Sequence, residues 1–186
     1  TPDILIVSKS FGAGKSSISA YITNKKTLMN SYGNLNDALI HSTTYNGFGE
    51  ECLTAIESIN LMVKKKYYLK GEIIRKKMMP TFVMLKEAHK DKIKDIRGVG
   101  AMFGFTFHTK YLPLKKFQKL LLVSVFKDPK FLDKLLASAL LDELYRKHKI
   151  LGTLKFNKEV IFCLEPSLTI NDREISICLN SIKKLF

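Results

Sequence analysis

An α/β fold is what this 186-residue chain predicts, on three observations. Short runs rich in Ile and Val recur along it. Longer stretches carry apolar residues at three- and four-residue spacing, and the two kinds alternate. No internal repeat or low-complexity linker interrupts the alternation. The length suffices for one domain with a sizeable core or for two small ones.

Asp3 to Val7 reads as the first strand and Ile18 to Ile22 as the second. The loop between them carries Lys9 and Lys15 together with Gly12 and Gly14, which let backbone turn tightly or approach a ligand. Two chemistries compete for it. Gly12-Ala13-Gly14-Lys15-Ser16 ends like a P-loop, but Lys9 occupies the position of the first glycine. The β-branched and aromatic residues that follow also argue for a strand where a P-loop needs a helix. The other reading centres on Lys9. A lysine just past the end of a buried strand is partly desolvated, which lowers its pKa and makes its amine a nucleophile toward an aldehyde.

Asn24 to Tyr32 is expected to be a short helix capped by Thr23 or Asn24, and residues 33–37 a turn. Ile40 to Cys52 places Ser42, Thr43 and Thr44 ahead of a helix that starts near Glu50. That arrangement suits a bound phosphate and an ordinary helix cap equally. Leu53, Ile56, Ile59 and Val63 mark one apolar face of this helix. A further helical region, about Leu69 to His89, contains Pro80, which should kink or divide it.

Lys92 to Asp95 is polar, and Ile96 to Phe107 reads as one strand punctuated by glycines. Tyr111 to Phe126 is apolar with interspersed lysines. Phe131 to about His148 is an amphipathic helix, and Ile150 to Lys155 and Val160 to Leu164 are two strands of a small sheet. Asn171 with Glu174 makes a capping pair for a last helix whose Ile175, Leu179, Ile182 and Leu185 face inward.

The net charge of +14 would ordinarily raise nucleic acid or an anionic membrane as a partner. The cations are nearly all lysine, however, with arginine only at Arg75, Arg97, Arg146 and Arg173, and they are scattered over helix surfaces. Bidentate phosphate or base recognition favours arginine, so a solvated basic surface is expected and no nucleic-acid partner. No run of 18 apolar residues occurs, so no membrane span is expected. Cys52, Cys163 and Cys178 lack metal-ligand spacing and read as reduced thiols, the four histidines form no cluster, and a cytoplasmic location without a metal site follows. The chain opens on Thr and a strand, from which a piece of a longer protein or a processed product is expected.

Four blocks, in order, carry a family resemblance. Pro2-Asp3-Ile4-Leu5 followed by Ser8-Lys9-Ser10-Phe11-Gly12-Ala13-Gly14 resembles the lysine segment of the class III aminotransferases, which use pyridoxal phosphate (PLP). His41-Ser42-Thr43-Thr44-Tyr45-Asn46-Gly47 resembles their H-[ST]-[ST]-T-[FY]-x-G loop, although Gly47-Phe48-Gly49 stands where many members have Gly-Asn-Pro. Arg97-Gly98-Val99-Gly100 resembles their R-G-x-G block, and Glu165-Pro166-Ser167-Leu168-Thr169-Ile170 their x-P-P-L-T-I block.

The resemblance implies the later part of a fold type I enzyme. Residues 1–90 would be the end of the PLP-binding large domain with connecting helices, and residues 91–186 the small C-terminal α/β domain. Lys9 would hold the cofactor covalently, and Thr44 would bind its phosphate across a homodimer interface. A missing N-terminal half would supply the phosphate nest, the aromatic stacked on the ring and the acid paired with the pyridine nitrogen. The implied reaction passes an amino group from an amine or amino acid donor to a keto or aldehyde acceptor. Cys163 stands where many members carry an arginine for a substrate carboxylate, which turns the expectation toward an amine or polyamine donor, or a substrate recognised by the missing half, over an α-amino acid held here. A non-catalytic basic α/β remnant without cofactor, and a degenerate P-loop nucleotide binder, remain the alternatives.

Overall fold

A computed structural model describes residues 1–37, 39–109, 115–156 and 158–186, with Phe117 described by its backbone alone. The chain forms two compact units, Thr1–Tyr67 and Tyr68–Phe186.

In the first unit, β1 (Ile4–Val7) pairs antiparallel with β2 (Ala20–Thr23), in a register that sets Ile4 opposite Thr23 and Val7 opposite Ala20. The second strand thus begins two residues later than its composition suggests. Thr23 Oγ1 donates to the Asp3 carbonyl (2.8 Å) and closes the open end of the pair. At the other end, the pairing of Val7 with Ala20 fixes both ends of the loop 8–19. Helix α1 (Lys25–Tyr32) is capped by Asn24, whose side chain accepts from the Thr27 N–H at 2.8 Å. Helix α2 spans Gly49–Lys64. The strands are not buried, since Ile4, Leu5, Ile6, Tyr21 and Ile22 are all exposed. The apolar stripe of α2 is equally uncovered, Leu53, Ile56, Ile59 and Val63 all being exposed.

The second unit is built on a four-stranded antiparallel sheet: β3 (Ile93–Val99), β4 (Met102–Phe107), β5 (Thr153–Phe156) and β6 (Val160–Leu164), in the order β3-β4-β6-β5. The stretch expected to be one glycine-punctuated strand is therefore a hairpin. Val99 pairs with Met102, and the turn is made by Gly100 at φ 55° with Ala101. This turn lies against helix α3 (Tyr67–Ala88). A Cβ on Gly71 would stand 3.3 Å from the Gly100 Cα and the Ala101 nitrogen, so helix and hairpin meet backbone to backbone.

Helix α3 also runs unbroken through Pro80. A proline inside a helix costs about 3 kcal/mol. Met78 and Phe82 on either side of it are fully buried, and each such side chain returns about 1.5–3 kcal/mol. Packing thus offsets the break that the sequence invites. The core joins Phe82 to Phe103 and Phe105 in edge-on ring contacts at 5.1 and 5.0 Å, and Phe105 to Phe162 at 5.4 Å.

Helices α4 (Lys116–Phe126), α5 (Phe131–His148) and α6 (Asp172–Lys183) complete this unit. Residues 111–114 of the apolar stretch ahead of α4 lie outside the described residues. β5 begins at Thr153, three residues later than expected. Helix α6 opens with a reciprocal capping box: the Asn171 side chain accepts from the Glu174 N–H, and the Glu174 carboxylate from the Asn171 N–H, both at 2.9 Å. Its Ile175 and Ile182 are buried and its Leu179 packs on the core, as the periodicity predicts.

Candidate cofactor and substrate site

Lys9 opens a short 3-10 turn, Lys9–Gly12, directly after β1. Its φ of 56° is left-handed, as are those of Ala13 (53°) and Gly14 (70°). Such angles are costly for residues with a Cβ, and they cluster where function demands a particular backbone. Successive bonds from Phe11 N to Ser8 O, Ala13 N to Ser10 O and Lys15 N to Gly12 O hold the turn (2.9–3.2 Å). The loop thereby encloses an open recess of about 540 Å³, lined by Lys9, Lys15, Gly14 and the serines Ser8, Ser16, Ser17 and Ser19.

Lys9 is exposed, and the strand ahead of it is exposed too, so the desolvation expected from a buried strand is not supplied within this unit. Neither lysine makes an ion pair among the described residues. Ser16 Oγ is buried without a hydrogen-bond partner. After Ser16 the chain passes through residues 17–19 into β2, so the helix that a P-loop requires at its lysine is absent.

Thr44 lies in the exposed turn between α1 and α2 and does not line the Lys9 recess. That turn is shaped by its neighbours. Asn46 N–H donates to the Thr43 carbonyl (3.2 Å), Thr43 Oγ1 donates to Asn46 Oδ1 (2.9 Å), and Asn46 Nδ2 donates to the His41 carbonyl (2.8 Å). The Thr44 hydroxyl makes no hydrogen bond among the described residues.

A larger cavity of about 760 Å³ shares Ser17, Ile18 and Ser19 with the Lys9 recess, and is walled by Phe11, Tyr45, Phe48, Ala55 and Ile56. Glu51 lines it too, with Oε2 buried and without a partner. Sequence reasoning missed this cavity. The adjacent acids Glu50 and Glu51 pass for ordinary first-turn residues of α2, which complement the helix dipole. The signal that was available is the set of aromatics around them at Tyr45 and Phe48.

In the second unit, Cys163 is buried on β6 opposite Gly104, and burial pushes its thiol above the ordinary range. Cys178 on α6 is pushed up to about 11, again by burial. Neither thiol is a ready nucleophile or anion partner. Among the described residues, no three His, Cys, Asp or Glu side chains are placed to hold a metal ion, and no helix is long and apolar enough to cross a membrane.

The chain as a whole matches solved transaminases in fold. A transaminase from the marine bacterium Virgibacillus aligns over all of this chain and 39% of its own, at TM-score 0.73 and 15% identity. The ornithine aminotransferase of Toxoplasma gondii aligns over 99% of this chain and 36% of its own (TM-score 0.72, 21% identity). Acetylornithine aminotransferase of Elizabethkingia anophelis aligns over 100% and 40% (TM-score 0.68, 20% identity). The chain therefore spans about 40% of the length of these enzymes. The family model "Aminotransferase class-III" matches residues 1–186, and the chain belongs to that family.

Proposed function

We propose that the protein is a PLP-dependent aminotransferase that binds its cofactor through Lys9 and passes an amino group between an amine or amino acid donor and a keto or aldehyde acceptor. The observation that carries this reading is Lys9 itself: a lysine held at left-handed φ, opening on a recess whose other polar side chains are Lys15 and hydroxyls.

The donor set fits part of the cofactor. An amine suits an aldehyde, and ammonium and hydroxyl groups, including the orphaned Ser16 Oγ, suit an anion. It does not fit the ring, because no carboxylate or aromatic side chain lines the recess. The acid for the pyridine nitrogen and the stacking aromatic are assigned to a further, N-terminal half of the enzyme, and the division into a 1–90 and a 91–186 domain belongs to this proposal. When bound, PLP supplies the electron sink for carbanion chemistry. Lys9 Nζ binds the cofactor and, when free, holds and moves the proton at the reacting carbon. The Thr44 hydroxyl donates to the cofactor phosphate of a neighbouring subunit, which makes the active form a homodimer. With Cys163 buried and thiol-bearing, β6 offers no charged fork for a substrate carboxylate, which favours an amine or polyamine donor. Three cysteines free of disulfides suit a reducing, cytoplasmic setting.

The test is borohydride reduction in the presence of PLP followed by peptide mapping of the protein as its gene encodes it. The label is expected on Lys9. A label on Lys15 instead, or on neither, overturns the assignment. Residues 1–186 in isolation are expected to bind PLP weakly and to show no amino transfer, since the ring contacts lie elsewhere. A tight adduct with turnover from this chain alone would break that part of the reading.

A further inference from the structure

The proposed reaction uses one amine at Lys9, and the larger cavity beside it has room for a second group. Its walls are mainly apolar and aromatic, with polar side chains from Ser17, Ser19, Thr43 and Asn46, and Glu51 is the sole charged residue that lines it. Glu51 Oε2 is buried there with neither hydrogen bond nor ion pair among the described residues. Glu51 as a whole is half-buried, and a carboxylate with one oxygen buried and unpaired gains by meeting a cation. In a chain of net charge +14, lysine is the commonest means of neutralising a carboxylate, yet none lines this cavity. Tyr45 and Phe48 present exposed rings to the same space, 6.1 Å apart, and ring faces attract ammonium groups.

We propose that this cavity binds the non-reacting ammonium group of a diamine donor, with Glu51 as its counter-charge and Tyr45 and Phe48 as its flanks; the proposal rests on the aminotransferase reading. Ser17, Ile18 and Ser19 line both recesses, so one extended molecule can lie along that segment with its reacting amine toward Lys9 and its other end toward Glu51. A donor ending in a carboxylate would set two anions together at Glu51, and a monoamine would leave Glu51 unpaired. Glu51 is thus a specificity-determining residue that has no part in the proton transfer.

The experiment is equilibrium binding to the protein purified as its gene encodes it and treated beforehand with PLP and borohydride, so that cofactor phosphate offsets the lysines of the recess and no amino transfer can occur. The probes are 1,4-diaminobutane, 1-aminobutane and 4-aminobutanoate, for wild type, Glu51→Gln and Glu51→Asp. Wild type is expected to prefer the diamine over both others by about tenfold or more. Glu51→Gln should abolish that preference, Glu51→Asp should retain part of it, and all three proteins should melt alike. Equal binding of the three probes by wild type, no binding of the diamine, or a preference that survives Glu51→Gln overturns the proposal, and the wild-type comparison decides even if a variant fails to fold. A Lys9 adduct with PLP alongside no diamine preference would sink this inference alone. A diamine preference without that adduct would sink the aminotransferase reading instead.

Discussion

The two units of this chain divide its packed core from its candidate site residues. Residues 68–186 contain the whole described hydrophobic cluster, from Ile74 to Ile182, with Phe82, Phe103, Phe105 and Phe162 closed off from solvent. Residues 1–67 contain Lys9, Thr44 and Glu51, and among the described residues their one buried hydrophobic side chain is Ala55. The unit that is rich in motifs thus leaves its strands and its α2 stripe uncovered, while the unit that packs well holds no candidate catalytic side chain. A substrate site needs open recesses and backbone held in uncommon angles, whereas stability needs filled space. Here those demands fall on different stretches of sequence.

The most severe way to test that division is Lys9→Ala. It should abolish the reducible PLP adduct and lower turnover roughly 10³-fold or more, since the proposed covalent and proton-transfer roles are lost together. The unfolding midpoint should stay where it is, because Lys9 is exposed. A fall in the midpoint would show that the loop is structural.

The opposite test is Phe82→Ala, which should cost about 3–5 kcal/mol in chemical denaturation of the second unit. A cost below about 1 kcal/mol would break the claim that this ring, fully buried between Phe103 and Phe105, anchors the core.

Cys178 sharpens the same point through pH. Its thiol titrates near 11 in the folded protein against an ordinary value of 9.0, because burial penalises the thiolate. A folded pKa raised above the unfolded one means that the folded state keeps its proton longer. The stabilisation is therefore complete below about pH 9 and is lost as pH rises toward about 11, by up to about 3 kcal/mol. Denaturation measured at pH 8 and pH 11 should show that loss, and Cys178→Ala should remove this thiol's share of it.

Thr44→Ala is the milder counterpart of Lys9→Ala. Losing one hydrogen bond to a charged phosphate costs roughly 1.5–3 kcal/mol, so PLP affinity should fall about tenfold to a hundredfold with no change in melting. Unaltered affinity would remove Thr44 from the site. Smallest of all, Asn171→Ala should cost about 1 kcal/mol by breaking the capping box of α6, measurable as a lower denaturation midpoint with the Lys9 adduct intact.

Much of this was legible in the residues because it depends on near neighbours in the chain. Asn24 caps α1 and Asn171 pairs with Glu174 through contacts three residues apart, and the periodicity of residues 131–148 placed α5 to its last residue. The apolar run from Asp3 to Val7 put Lys9 just past a strand for the same reason. What remained out of reach depends on residues distant in sequence. Glycine punctuation between 96 and 107 looked like one strand because no local pattern says that Val99 pairs with Met102, and the close backbone contact of Gly71 with the turn confirms a hairpin that only the folded unit specifies. Pro80 was expected to kink or divide its helix, and that the helix is not divided rests on the burial of Met78 and Phe82, a property of the assembled core.

The sequence by itself determined the class of fold, the caps of α1 and α6 and the family, since each is written in short-range pattern or in contiguous motif. Tertiary structure alone decided that Cys163 is buried, that the α2 stripe is left uncovered, and that Phe11, Tyr45, Phe48 and Glu51 share one cavity beside the Lys9 loop. The physical reason is that burial and cavities are made by segments that meet through folding. A residue's own neighbours in the chain fix its torsions and its caps, but not what closes over it.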